Sequence, residues 1–306
     1  MTMLVAHIAV HVVLVLALPP LLLGVINKTK ALVAGRVGPP VLQPYFDLIK
    51  LVRKGSVFSR TTTWVFRVGP VISLITAVAA SLMLPLGGHA APIAFSGDFV
   101  LFAYLLALGR FFTVAAALDT GSAFEGMGGA REATYSCLAE PALFFAFVVL
   151  AKASGSMSLT AMLGPSVAAT WSTGGAALAT VLLALFVVLL AENCRIPFDD
   201  PNTHLELTMI HEVMVLDHGG PLLGAILYGA AVKLFVFAAL VVGIAAPLAE
   251  IDPWIAWVAF VGAVLVLAVV VGIVESVMAR LRLTQVPGLL VAACLMSAFG
   301  IVLLVR

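Results

Sequence analysis

The stretch PLLGAILYGAAVKLFVFAALVVGIAA, residues 221–246, decides the class of this protein. It is apolar apart from one charge, Lys233, and longer than the ~20 residues a helix needs to cross a bilayer. Working outward, similar runs stand at approximately 3–26, 65–86, 99–118, 137–154, 176–192, 254–275 and 287–305. The fifth, 176–192, is the shortest. The chain therefore reads as a single all-α membrane domain, 1–306, of about eight transmembrane helices.

Composition agrees. Of 306 residues 63% are hydrophobic and 10% charged, and the mean hydropathy is +1.19. A soluble domain carries roughly 25% charged residues, so this sequence calls for lipid as its solvent. The apolar N-terminus, residues 1–26, exceeds a signal-peptide core. It has no basic residue before it and has Lys28 and Lys30 after it, which predicts a first span and not a cleaved signal.

Basic residues set the expected orientation. Lys28, Lys30, Arg36, Lys50, Arg53, Lys54, Arg60 and Arg67 flank the first connection, and Arg131, Arg195, Arg280 and Arg282 fall on the same side. The opposite side holds only Lys152 and Arg306. The positive-inside rule places the richer side in the cytoplasm of a bacterial or archaeal cell and both termini outside the inner membrane.

Two cytoplasmic connections stand out. In the first, Gly38-Pro39-Pro40 makes a rigid turn before residues 41–52. There Leu42, Tyr45, Phe46, Ile49 and Val52 recur at helical spacing beside Asp47 and Lys50, the pattern of an amphipathic interfacial helix. The other, 193–220, is acidic, with Asp199, Asp200, Glu206, Glu212 and Asp217. An acidic loop gains nothing from an anionic membrane surface, so it is expected to face a protein partner.

Redox chemistry is expected elsewhere. Cys137, Cys194 and Cys294 are far apart and form no C-x-x-C. They do not make a disulfide framework or supply the four thiolates an iron–sulfur cluster usually takes. His204, His211 and His218 recur every seven residues. On one helix they would stand ~10 Å apart, too far to share a metal. No metal and no cofactor is therefore assigned to this chain. The histidines read as a relay with Glu206 and Glu212, as a polar docking face, or as a solvated helix face. Gly121, Gly126, Gly128 and Gly129 lie in the 119–131 loop without a phosphate-binding context, and tight turns account for them.

The charges inside the spans carry the most information. Arg110 interrupts the third run and Lys233 the sixth. Glu140 lies near the start of the fourth, and Glu192 and Glu275 end the fifth and seventh. Charge at bilayer depth is costly and faces the bundle interior or a wet cavity. It reads as a proton path, or as pairing that fixes helix packing. Pro141, in the expected first turn of the fourth helix, suits a carboxylate at the positive helix end.

Several motifs together are similar to the complex I subunit 1 family. They include RVGPPVLQ at 36–43 with DLIKL at 47–51, RFF at 110–112, and LDTGS at 118–122. Further along come GGARE at 128–132 with Glu140-Pro141, then Ala191-Glu192, Arg195 and Pro197-Phe198-Asp199, and Glu275 with MARLR at 278–282. They occur in family order over nearly the whole chain. The nearest look is to the hydrogenase branch, with formate hydrogenlyase subunit 4 and its hydrogenase-4 counterpart. Where the family has an acidic run after Asp199, this chain reads DPNTHLEL at 200–207.

The resemblance implies an eight-helix subunit joining a peripheral electron-transfer arm to antiporter-like membrane subunits. Its partners would be hydrogenase-like large and small subunits and an iron–sulfur subunit, which would hold the NiFe centre and the clusters. Arg110, Glu140, Glu192, Lys233 and Glu275 become the expected proton-coupling residues. The expected junction with the arm is Arg36, Asp47, Asp119, Arg131, Glu132, Arg195, Asp199, Asp200, His204, Glu206, His211 and Glu212. Two other functions stay open: a quinone-site subunit of a complex I-like NADH dehydrogenase, and a stand-alone ion transporter. The second would predict inverted repeats, and none is visible.

Overall fold

The computed structural model describes residues 2–199 and 209–305. Its elements are α1 (Thr2–Val33), α2 (Gln43–Val52), α3 (Trp64–Ser81), α4 (Asp98–Asp119), α5 (Ala123–Ser154), α6 (Leu159–Met162), α7 (Ser166–Glu192), a 3₁₀ turn (Glu212–Val215), α8 (Gly220–Ala245), α9 (Pro253–Val277) and α10 (Val286–Val305). Eight of these, all but α2, α6 and the 3₁₀ turn, are long and apolar enough to span a membrane.

Helix α8, the run that opens the sequence argument, is the axis of the bundle, and its residues 234–242 are all buried. Helices α1 and α9 pack on one flank, α3 and α4 on another, and α5, α7 and α10 together on a third. Phe235 and Phe237 of α8 sit in the core with Phe147 of α5 and Phe260 of α9. Lipid tails are as apolar as these side chains, so close packing holds such helices together, and small residues allow it.

Helix starts follow local rules. Thr63 caps α3 by accepting from the Val65 amide. Asp119, at the end of α4, accepts from the Thr63 amide at 2.7 Å and the Phe66 amide at 3.1 Å. Asp252 caps α9 through the Trp254 and Ile255 amides. These carboxylates satisfy amides that a helix leaves without partners.

The structure departs from the expected boundaries in several places. The fourth span begins at Ala123, not near 137, so Gly126, Gly128 and Gly129 lie within a helix and not in turns. A Cβ on Gly128 would stand 2.9 Å from the Ile210 carbonyl oxygen and overlap Val213. That glycine admits the 209–215 segment against α5. Only Gly121, with φ of 72°, makes a turn. Second, Pro141 is internal to α5, not in its first turn.

Third, α7 starts at Ser166 and kinks at Gly174, where φ is −136° and ψ 35°. The polar half before the kink is held by Trp171, whose Nε1 donates to the Ile244 carbonyl at 2.8 Å. Helix α2 falls within the expected 41–52 stretch and buries none of its residues, as an interfacial helix should. A Cβ on Gly24 would overlap the Val41 carbonyl, and the Tyr45 hydroxyl donates to the Ala17 carbonyl, so the segment folds back along α1. Its Leu42, Phe46, Ile49 and Val52 stay exposed, as suits contact with lipid.

Candidate functional site: a buried charge network

Helices α4, α5, α7 and α8 each bring charge to one point. Arg110 projects from α4 with a side chain 10% exposed. Its Nη1 donates to Glu140 of α5 at 2.7 Å. Its Nη2 donates to both oxygens of Glu192, the last residue of α7, at 2.9 and 2.8 Å. Its Nε lies 3.7 Å from Glu132 of α5. From α8, Lys233 reaches the same Glu192 at 2.7 Å. Two cations thus meet three carboxylates, all but Glu140 largely withdrawn from the surface. Each buried ion is tolerable only because it has partners, and removing one strands the rest.

The network lies between cavities. One of about 70 Å³ is lined by Arg110, Glu132, Glu192, Lys233 and His211, polar enough to hold water. A second, about 130 Å³, runs from Arg110 and Glu192 past Glu140 to Tyr104 and Phe144. Glu140, with a side chain 42% exposed, is the most open member of the network. A third, about 280 Å³, opens between α1, α2 and the loop after α7, among Asp47, Arg195, Asp199, His211 and Glu212. Asn193, Cys194 and His211 line both the first and the third. Burial pushes the Cys194 thiol well above its ordinary range, so it is an inert wall group there.

Glu275 does not join this network. Its side chain, fully buried in the last turn of α9, pairs with Lys30 of α1 at 2.8 Å and with Arg195 at 3.4 Å. A third group forms around Asp199. That carboxylate accepts from Arg280 at 2.7 Å and from the amides of Ile210 and His211 at 3.0 and 3.2 Å. Arg131 donates to the Met209 carbonyl at 2.8 Å. Together these contacts pin both sides of the 200–208 connection to the bundle.

The remaining expected junction residues are dispersed. Arg36 is exposed. Asp47 accepts from Gln43 at 2.9 Å on α2. Asp119 is spent on the start of α3, and Glu132 belongs to the Arg110 network. Glu212 lines the large cavity. Asp200, His204 and Glu206 lie outside the described residues.

The histidines do not share one helix. His211 precedes a 3₁₀ turn and faces the cavities. His218 stacks on Phe66 at 3.9 Å and bonds its carbonyl through Nε2 at 3.2 Å. Burial lowers its pKa, and the Phe66 carbonyl pulls the other way. Sequence reasoning treated Lys30 and Arg280 as orientation charges, although each neutralises a buried carboxylate. Nor did it weigh Glu125, which is buried and accepts from the Asp217 amide at 3.2 Å. Glu125 stands in the first turn of α5, a place that favours a carboxylate, but the sequence hid it because that start read as a loop.

Comparisons with known proteins fit this architecture. Residues 5–306 match the NADH dehydrogenase family. Formate hydrogenlyase subunit 4 of Escherichia coli (strain K12) is 30% identical over 285 residues, 91% of each chain. Hydrogenase-4 component C of the same organism is 34% identical, covering 77% of this chain and 73% of its own. An NADH-quinone oxidoreductase subunit of Rubrobacter xylanophilus is 30% identical over 56% of this chain and 53% of its own. Among solved structures, a chain of the membrane-bound sulfane sulfur reductase, an archaeal respiratory membrane complex, shares the fold. Its TM-score is 0.81 at 20% identity, over 95% of this chain and 96% of its own. The chain belongs to the NADH dehydrogenase subunit 1 family.

Proposed function

We propose that this multi-pass chain is the membrane subunit of a group 4 NiFe hydrogenase or formate hydrogenlyase-like complex. In that role it anchors the peripheral electron-transfer arm and passes charge to antiporter-like membrane subunits. The whole-length similarity to formate hydrogenlyase subunit 4 supports the assignment. Match to the quinone oxidoreductase relative covers little more than half the chain, which favours the hydrogenase branch. The NiFe centre and the iron–sulfur clusters belong to the partner subunits in this reading. The basic residues around the first connection orient the arm-facing side to the cytoplasm.

One observation carries the coupling role. Arg110 and Lys233 face three carboxylates, Glu132, Glu140 and Glu192, so the fully ionised network holds one negative charge too many. A proton on one carboxylate removes the excess. Cavities on either side give it a way in from the arm-facing loops and a way out at Glu140. Structural changes at the arm would alter the Asp199 and Arg195 contacts, and Asn193–Cys194 connect that loop to Glu192. The chain's own work is to hold the proton and release it in one direction. Glu140→Gln in the intact complex, reconstituted in vesicles, tests this. Electron transfer should persist while protons moved per electron fall. An unchanged ratio would remove Glu140 from the path.

A further inference from the structure

Three of the six histidines, His7, His11 and His89, cluster at the end of the bundle opposite the junction loops and take no part in the charge network. There α1, the loop after α3 and the first turn of α9 meet. His89 lies flat on Trp257, with ring centroids 4.4 Å apart and planes within 7°. The His7 ring is 4.4 Å from His89 and 5.4 Å from Trp254. One turn along α1, His11 is buried. Gly88, with φ of 77°, seats the loop against the 246–250 segment, where a Cβ would stand 2.7 Å from Ala249.

Hydrogen bonding fixes the protonation the cluster was built for. An indole nitrogen only donates and a carbonyl only accepts. Trp257 Nε1 donates to His7 Nδ1 at 3.0 Å, so that nitrogen carries a lone pair and His7 is neutral. His11 donates from Nε2 to the Ser81 carbonyl at 3.1 Å, and its buried Nδ1 has no partner among the described residues. His89 donates from Nδ1 to the Leu86 carbonyl at 3.3 Å. A proton added to His7 lands on the atom Trp257 uses, and one added to His11 is buried unpaired.

Among the described residues, none of the three histidines is in an ion pair. On α9, Asp252 is engaged by the Trp254 and Ile255 amides. In the preceding segment Glu250 is exposed to solvent. Helix α3 offers only the Ser81 carbonyl.

We propose that this stack is a proton-operated clasp, which holds α1, the 82–97 loop and α9 together while its histidines are neutral and opens when acid reaches that face. Burial, then the neighbouring His7, holds His89 below the ordinary histidine value. Over the window below about pH 6.5 the opened form therefore binds more protons than the closed one, and the clasp weakens as pH falls. The clasp would report the proton level on the side opposite the junction loops. It needs no particular role for Arg110 or Glu140, so it stands or falls apart from the coupling reading.

Hydrogen exchange of the full chain in lipid nanodiscs, from pH 8 to pH 5, tests this. After correction for intrinsic rates, opening of residues 82–97 should rise below about pH 6.5, up to about tenfold per unit for each linked proton. The triple variant His7→Gln, His11→Gln, His89→Gln keeps an acceptor for Trp257 and a donor for the Ser81 carbonyl and cannot titrate, so it should lose that rise. Trp257→Phe is the second variant, which removes the donor that a proton on His7 would displace, so opening should already be higher at pH 8 and the acid rise smaller. A flat profile in the native chain overturns the proposal. So does a rise that survives the triple variant or, should that variant not fold, a rise undiminished in Trp257→Phe.

Discussion

Helices α1 and α9 run side by side and are joined twice, by opposite chemistry. Near their C-terminal ends Lys30 and Arg195 close on buried Glu275 at 2.8 and 3.4 Å, and the carboxylate is sealed from solvent. Near their N-terminal ends a neutral His7 accepts from Trp257 at 3.0 Å inside a stack of rings. The ionic joint sits with the junction loops, and the neutral one at the far end. A buried ion is tolerable only with its partners in place, so losing one costs much. A neutral hydrogen bond between helices contributes little, yet a histidine in it answers to protons in the physiological range. One end is built for constancy and the other for response.

The comparison is broken most easily at Glu275. Glu275→Ala leaves Lys30 and Arg195 facing an emptied apolar site and should cost about 3–5 kcal/mol. The fall should appear in the thermal midpoint of the purified chain in detergent. Glu192→Ala belongs to the same class, because it strands Arg110 and Lys233 together. Lys30→Met is milder. Lys30 is 23% exposed and Arg195 remains, so about 1.5–3 kcal/mol is expected, the value of a charged hydrogen bond. At the other end Trp257→Phe keeps the ring and loses the donor, which should cost about 0.6–1 kcal/mol at pH 8. Should Trp257→Phe prove as costly as Glu275→Ala, the neutral joint is structural and the contrast collapses.

These pairings differ in how far the sequence reveals them. Apolar runs located all eight spans because burial in lipid leaves little freedom of composition. The start of α5 was hidden because 123–136 reads as glycine-rich and polar, yet contact between Gly128 and the 209–215 segment makes it helical, a tertiary override of propensity. The polar half of α7 was hidden likewise, and Trp171 reaching Ile244 anchors it. For the site, the cost of charge at depth marked Arg110, Glu140, Glu192 and Lys233, but not who pairs with whom. Nothing in the spacing separated Glu275 from them, since that depends on how α1 lies on α9. The histidine clasp was invisible because residues 7, 89 and 257 meet only in the fold.

The smallest effect on stability is expected at the exposed rim, and it sharpens the contrast between buried and solvated charge. Arg36 is exposed and held in place by its own amide, which donates to the Ala31 carbonyl at 2.8 Å. Arg53, Lys54 and Arg60 are exposed as well. Arg36→Ala should therefore change unfolding by less than about 0.5 kcal/mol, as surface substitutions do. Its effect should appear in assembly, because exposed cations act on a partner through a field that salt screens over about 10 Å at 0.1 M. Pull-down of the complex at rising salt should show the variant shedding its peripheral subunits at lower ionic strength than the native chain. If both hold their partners through the same range, the basic rim is only a solvated surface. Docking then rests on the loops that Asp199 and Arg280 pin, and their loss would disrupt fold and assembly together.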